Sequence, residues 1–418
     1  RLTMKIPAEG PDTEWITVNQ NGLVSNALPL AVDDHPEILE SEPNDAAGEA
    51  QTVTLPTVIN GRIEQPGDAD YFTFQAEAGQ ELTFQVQARR FGSPLDSILT
   101  LYDAGGPIEQ FDDPTPQAVP NALGTGVEND QGASVHPRDA LLTHRADSRI
   151  VHTFASAGDY VVEIADVTEH GGPEYAYRLK IAPAEGDFTL RIKTDAVSVG
   201  QGDTALVAVN ALRMDGFDGL IRVDVQELPP GVVASPAIIP AGKTDSHLTV
   251  SVPADASPGL YSPTFVGKAE VDGRTLERAG VPVETVGQAF YIKHMVPTTD
   301  FLLHVCDKSF YTLSTDVPPG KELEIYSGND ATFVVKAERL GDAKGPISVA
   351  AVSPPAGIVV KQAQIGAGKD EVEVTVTATP DARGDVPNYL ILSGTLTAGK
   401  ESVVRVAPAI PLKVITPN

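Results

Sequence analysis

Apolar and polar residues alternate in short runs along most of this chain. Leu82, Phe84, Val86 and Ala88 stand between polar partners, as they would in a strand with one face in a core and one face in water. The same period of two predicts strands over residues 73–75, 82–88, 98–102, 151–154, 160–165 and 175–181. It returns at 204–213, 248–252, 331–339 and 372–376. Near the start, 2–6, 13–19 and 28–32 read the same way, and Asn21-Gly22 supplies a turn. Ala78-Gly79 and Ala157-Gly158 punctuate the runs before strands. No stretch holds a helical period for more than two turns, so the expectation is an all-β chain of tandem β-sandwiches.

The second half repeats itself. Gly219-Leu-Ile-Arg-Val-Asp-Val, then Leu228-Pro-Pro-Gly-Val, then Ala241-Gly-Lys, is followed later by Gly345-Pro-Ile-Ser-Val-Ala-Ala, then Ser353-Pro-Pro-Ala-Gly-Ile, then Ala367-Gly-Lys. A period on the order of 125 residues is domain-sized, not solenoid-sized. Short strands with turns at this spacing suggest immunoglobulin-like sandwiches. The expected division is a truncated immunoglobulin-like piece at 1–36, a sandwich at 37–184, and two immunoglobulin-like sandwiches at 185–292 and 293–418. Residues 112–147 form a Pro/Gly/Asn-rich stretch with no clear period, long for a loop.

The length of 418 residues suits three or four domains. Acids outnumber bases 57 to 30, for a net charge of −27. A surface this acidic repels nucleic acid and anionic membranes and suits cation-rich surroundings. Cys306 is the single cysteine, so a disulfide-rich scaffold is excluded. No run of 18 apolar residues is present, so no transmembrane segment is expected. No signal peptide is evident, and the opening Arg1-Leu2-Thr3-Met4 is already in alternation, which suggests a mature product or a fragment of a longer chain.

Two oxygen-rich clusters carry the candidate chemistry. Glu40, Glu42 and Asn44 are spaced at every second residue, so an extended chain points them the same way, with Asp45 adding a carboxylate. Pro43 resists helix there. Asp68 and Asp70 share one side of the segment before Tyr71. Calcium takes six to eight oxygens from carboxylates, amide carbonyls and water, and these residues could supply much of such a shell. The bland alternative is a solvated linker followed by a hairpin turn. No His or Cys is nearby in sequence, which argues against zinc.

Glu40-Ser-Glu-Pro-Asn-Asp, Gly67-Asp-Ala-Asp-Tyr-Phe-Thr-Phe and Ala78-Gly-Gln-Glu-Leu occur in order. Ser93-Pro-Leu-Asp-Ser-Ile-Leu-Thr-Leu-Tyr-Asp and Ala157-Gly-Asp-Tyr-Val-Val-Glu-Ile follow. Together they resemble the bacterial pre-peptidase C-terminal domain over about residues 37–184. The resemblance implies a jelly-roll-like sandwich that accompanies secreted proteases and large surface proteins. It also implies Ca2+ held by Glu40, Glu42, Asn44, Asp45, Asp68 and Asp70. The stretch Asp166-Val-Thr-Glu-His-Gly-Gly-Pro-Glu-Tyr is similar to versions in large exported planctomycete-type proteins, where immunoglobulin-like units flank the domain.

Other candidates weigh less. Asp96, Asp103, Asp112 and Asp113 read more readily as turn residues than as a second cation site. His304 and Cys306 would share a face if residues 302–306 form a strand, but no third ligand is nearby in sequence. His144, Asp147 and Ser148 carry the letters of a hydrolytic triad, which only geometry can make meaningful. Tyr160, Tyr175 and Tyr177 could stack on sugars but alternate as core residues do. The expectation is a secreted or cell-surface, non-catalytic structural or adhesive protein. Its expected partners are other surface proteins, self-assembly, or extracellular protein or polysaccharide. The alternative is a targeting region of a larger secreted enzyme such as a protease.

Overall fold

The computed structural model describes residues 13–20, 23–25, 28–111, 127–128, 134–135, 147–271, 273–288, 292–307, 309–341, 343–384, 386–398 and 401–416. The expected strand at 2–6 lies outside them, as do Asp112, Asp113, His144 and all of the long stretch after Phe111 except Asp147 and the paired dipeptides Val127–Glu128 and Ser134–Val135. The described residues form strands and connections, with one 3-10 turn at Arg89–Phe91. Among the described residues no helix is long and apolar enough to cross a membrane. The chain divides into two compact units: Arg1–Gly186 with Thr285–Pro297, and Asp187–Glu284 with Thr298–Asn418.

In the first unit two five-stranded sheets form a sandwich. One runs in the order Gly106–Phe111, Ser97–Asp103, Gly158–Asp166, Ala69–Ala76 and Gln51–Thr52. The other runs Arg149–Thr153, Glu81–Gln87, Ala176–Pro183, Thr57–Arg62 and Glu37–Leu39. The alternation explains the core. Phe72, Phe74 and Ala76 point inward from one sheet and meet Leu82, Phe84 and Val86 from the other. The Phe74 and Phe84 rings lie 5.4 Å apart. Each of the larger of these side chains contributes roughly 1.5–3 kcal/mol on burial.

The short edge strands place the acidic segment. Glu37–Leu39 runs parallel to Thr57–Arg62 in one sheet, and Gln51–Thr52 runs parallel to Ala69–Ala76 in the other. Residues 40–50 are therefore a crossover from one sheet to the other within one sandwich. The Gln51 side chain fastens it: Oε1 accepts the Ser41 N–H at 2.8 Å and Nε2 donates to the Leu39 carbonyl at 3.2 Å.

The second unit contains two further cores. In the first of them, strands Val233–Ala234, Asp245–Ser251, Thr204–Met214 and Asp187–Ile192 are joined by Arg274–Gln288. That strand also pairs with Thr264–Val271, which leads to Ile221–Gln226 and Ala237–Ile239. A three-stranded sheet of Ala196–Gly200, Leu302–Cys306 and Gly259–Tyr261 completes it. Phe301, Leu303 and Val305 are buried in this core. The sequence division at 292/293 had put them in the following sandwich. The last sandwich packs Tyr311–Thr315, Asp330–Arg339, Glu371–Ala378 and Ile358–Val360 with two smaller sheets around a core that includes Phe333, Val335, Val374 and Val376.

The repeat has a shared physical basis. Arg213 donates to the carbonyls of Lys243 at 2.9 Å and Pro240 at 2.8 Å, and also to that of Gly219. Arg339, at the matching position, donates to Lys369 at 3.0 Å, Gly345 at 2.7 Å and Gly366 at 3.3 Å. One guanidinium thus pins the same three loop positions in each sandwich. The fork of five N–H donors makes arginine suited to that task.

Candidate metal site

The acidic cluster sits at the edge where the crossover passes between the sheets. The Asn44 carbonyl accepts the Tyr71 N–H at 2.9 Å, and the Glu40 N–H donates to the Asn60 carbonyl at 3.0 Å. These bonds hold the crossover against strands of both sheets. Asp68 lies in the turn before strand Ala69–Ala76, where its Oδ2 accepts the Glu64 N–H at 2.6 Å. Asp70 is the second residue of that strand and is fully buried.

Glu42, Asp68 and Asp70 come together: one carboxylate oxygen from each lies within 4.8 Å of the other two. These three residues could hold a metal ion. Each has one oxygen already engaged. Glu42 Oε2 takes the Asn44 N–H at 3.0 Å, Asp68 Oδ2 takes Glu64, and Asp70 Oδ2 takes the Tyr177 hydroxyl at 2.6 Å. Asp70 Oδ1 is buried without a hydrogen-bond partner. A buried carboxylate oxygen left bare is costly, and a cation would satisfy it.

Asn44 and Asp45 adjoin the trio through Glu42. Asn44 is fully buried with its side-chain amide against Glu42; with the nitrogen turned that way it would lie 3.1 and 2.9 Å from the two carboxylate oxygens. The opposite orientation of that amide would present an oxygen to a cation instead. Asp45 is exposed and lines the open side of the cluster with Pro43, Glu64 and Gln65. Glu40 stands apart from the trio. Its Oε1 accepts the Arg62 N–H at 2.6 Å and its Oε2 accepts the Tyr177 hydroxyl at 2.9 Å. Extended spacing had put Glu40, Glu42 and Asn44 on one side; the structure sends Glu40 to Tyr177 and Glu42 to the trio.

Tyr177 is the residue that sequence reasoning missed. It is buried in the opposite sheet and touches both Glu40 and Asp70. Its single proton is contested by two carboxylates, which leaves at least one of them short of a full hydrogen bond. Gly61, beside it, leaves the room: a Cβ there would lie 2.2 Å from Glu40 Oε2 and 2.3 Å from the Tyr177 hydroxyl. Neither carried a signal, because Tyr177 alternates as a core residue and Gly61 reads as an ordinary strand glycine.

Electrostatics agree with the crowding. Burial pushes the Asp70 carboxyl up to about 9; Glu40 and Asp68 add to the rise, while Tyr177 opposes it. Loss of water also pushes Glu42 up, to about 7, against the Asn44 N–H and with Asp45 and Asp68 adding. Glu42 is largely open to solvent, so screening reduces what its shift is worth. Burial raises Glu40, and drives the Tyr177 phenol well above its ordinary value. All donors in the trio are hard carboxylate oxygens, which suit calcium or magnesium and not a thiolate- or imidazole-preferring metal.

The other candidates have local explanations. Asp96 and Asp103 flank strand Ser97–Asp103 at opposite ends, roughly 20 Å apart at the rise of a strand, so they cannot share one ion. Asp103 Oδ1 instead accepts the Gly105 N–H at 2.7 Å in the following turn. Asp147 caps the Ala88 and Arg89 N–H groups at 3.1 and 2.7 Å, and buried Ser148 bonds to Ser97. His304 is exposed, with Nδ1 3.3 Å from the Ser198 hydroxyl, and Cys306 is half-buried beside it in the same strand. Tyr160 is buried, like Tyr177, and neither offers a sugar platform.

No family model matches the chain. It is 32% identical over 108 residues to a probable subtilase-type serine protease of Deinococcus radiodurans, covering 23% of this chain and 15% of that protein. The chain thus spans a small part of that relative's length. Similar solved structures include a protein of unknown function from Porphyromonas gingivalis W83, at TM-score 0.18 and 14% identity over 54% of this chain and 98% of that one. Domains 4 and 5 of the S-layer protein SbsC match at TM-score 0.17 and 16% identity, over 40% and 69% of the two chains. Likenesses this loose carry no functional argument.

Proposed function

We propose that this chain is a non-catalytic, calcium-braced structural or adhesive region of an exported multi-domain protein. The observation that carries the reading is the buried Asp70, with Oδ1 unpartnered, gathered with Glu42 and Asp68 so that one carboxylate oxygen of each lies within 4.8 Å of the others. One free oxygen from each of the three carboxylates, the Asn44 amide and water would make a calcium shell. The ion would fasten the crossover to both sheets, because Asp70 belongs to one sheet and is tied through Tyr177 to the other. Its work is mechanical: it stiffens the edge where the chain enters the sandwich. Partners would be other surface proteins, further copies, or extracellular protein or polysaccharide.

The match to part of a subtilase-type protease favours a second reading, in which the region targets a larger secreted enzyme to its substrate. The full-length gene product separates the two, since a catalytic domain on the same chain supports targeting. Calcium bracing itself is tested by calorimetry of the chain in chelator and in millimolar calcium. One endotherm should move up with calcium; coincident traces would sink the reading.

A further inference from the structure

We propose that the two sandwiches of the second unit are locked into one rigid spacer, with the connection between them pinned at Ser309 in place of a hinge. The inference is independent of the cation site. Short connections between domains usually permit relative motion unless something fixes them. Here a buried carboxylate does so. Asp203, 4% exposed, lies just before strand Thr204–Met214 of the earlier sandwich. Its Oδ1 accepts the Thr204 N–H at 2.8 Å. Its Oδ2 accepts the hydroxyl of Ser309 from the connector. The same oxygen lies 2.9 Å from Nε of Arg405, on strand Glu401–Val406 of the later sandwich. That Nε–H is not aligned on the oxygen, so the contact is an ion pair and not a directed hydrogen bond.

The connector also lies directly on backbone. A Cβ on Gly200 would stand 2.5 Å from Ser309 Oγ, 2.7 Å from Ser309 N and 2.9 Å from the Asp307 carbonyl. Only glycine allows that approach. Beyond the connector, the Tyr311 hydroxyl reaches the Val403 carbonyl at 2.9 Å, on the strand that bears Arg405. A second tie lies elsewhere on the interface: the Ala409 N–H donates at 3.1 Å to Thr249 Oγ1, which is buried in strand Asp245–Ser251. Two separate ties between rigid sheets prevent both bending and twisting. A carboxylate with so little solvent needs its cation, so separating the sandwiches would strand Asp203.

The test is a distance distribution by pulsed electron paramagnetic resonance on the full chain, with Cys306→Ser and spin labels at exposed Asp255→Cys and Lys361→Cys. The unaltered interface should give one narrow distance. Arg405→Met should at least double the width while circular dichroism stays the same. Asp203→Asn keeps the shape of the buried group and serves if Arg405→Met does not fold; it should broaden the distribution similarly. A broad distribution with the interface intact, or widths unchanged in the folded variants, would overturn the proposal.

Discussion

Replacing Asp70 with asparagine should stabilise the chain without calcium and destabilise it with calcium. Asp68 and Asp70 are both buried, with carboxylate oxygens within 4.8 Å. Two full charges at that separation repel by about 3 kcal/mol at an effective dielectric of ~20. Without a cation the chain avoids part of this by keeping a proton. Asparagine keeps the shape, still accepts from Tyr177, and offers an N–H to the neighbouring carboxylates. A gain of about 1–2 kcal/mol raises the melting temperature by roughly 5 °C for a sandwich of this size. With calcium at a hundred times its dissociation constant, the parent gains about 2.7 kcal/mol by mass action, or roughly 8 °C. Asp70→Asn loses a charged ligand and should lose most of that gain. Calorimetry of both proteins in chelator and in calcium reads all four values. An Asp70→Asn chain that melts lower in chelator and keeps the full calcium shift would refute the reasoning.

The site also sets a pH dependence. The folded Asp70 pKa of about 9 lies far above its unfolded value, so the folded chain holds a proton that the unfolded chain has lost. Stability in chelator should therefore be fully present below about pH 4 for this group and fall as pH rises toward 9, by at most about 1.4 kcal/mol per unit; urea titrations at several pH values check this, and calcium should flatten the slope because it binds the deprotonated form. Gly61→Ala forces a methyl against Glu40 and Tyr177, which should cost about 1–3 kcal/mol and weaken calcium binding in a calorimetric titration. Arg339→Lys cannot span the carbonyls of Lys369, Gly345 and Gly366, and should destabilise the last sandwich by about 3 kcal/mol in urea unfolding, leaving the calcium response alone.

The strands were legible because alternation is a direct trace of a half-buried sheet: Leu82, Phe84, Val86 and Ala88 all fall in one core. The repeat was legible too, in the matching Gly, Pro-Pro and Ala-Gly-Lys landmarks. What was not legible depends on contacts distant in sequence. Strands Glu37–Leu39 and Gln51–Thr52 are too short to show a period, so the pairing that makes residues 40–50 a crossover between the sheets was not visible. Tyr177 meets Asp70 across two sheets and more than a hundred residues of chain. Glu40 was grouped with Glu42 by spacing, but the Arg62 N–H and Tyr177 claim its carboxylate. The strand Leu302–Cys306 entered the sequence reading only as a condition for placing His304 and Cys306 on one face, and its burial with Phe188 and Phe265 shows which core it fills.

The most direct measurement is anomalous diffraction from crystals grown with calcium. The account predicts a peak between Glu42, Asp68 and Asp70, with oxygens at about 2.3–2.6 Å and Asp70 Oδ1 among them. A map with no peak there, and Asp70 Oδ1 hydrogen-bonded to water or to a protonated neighbour, would contradict it.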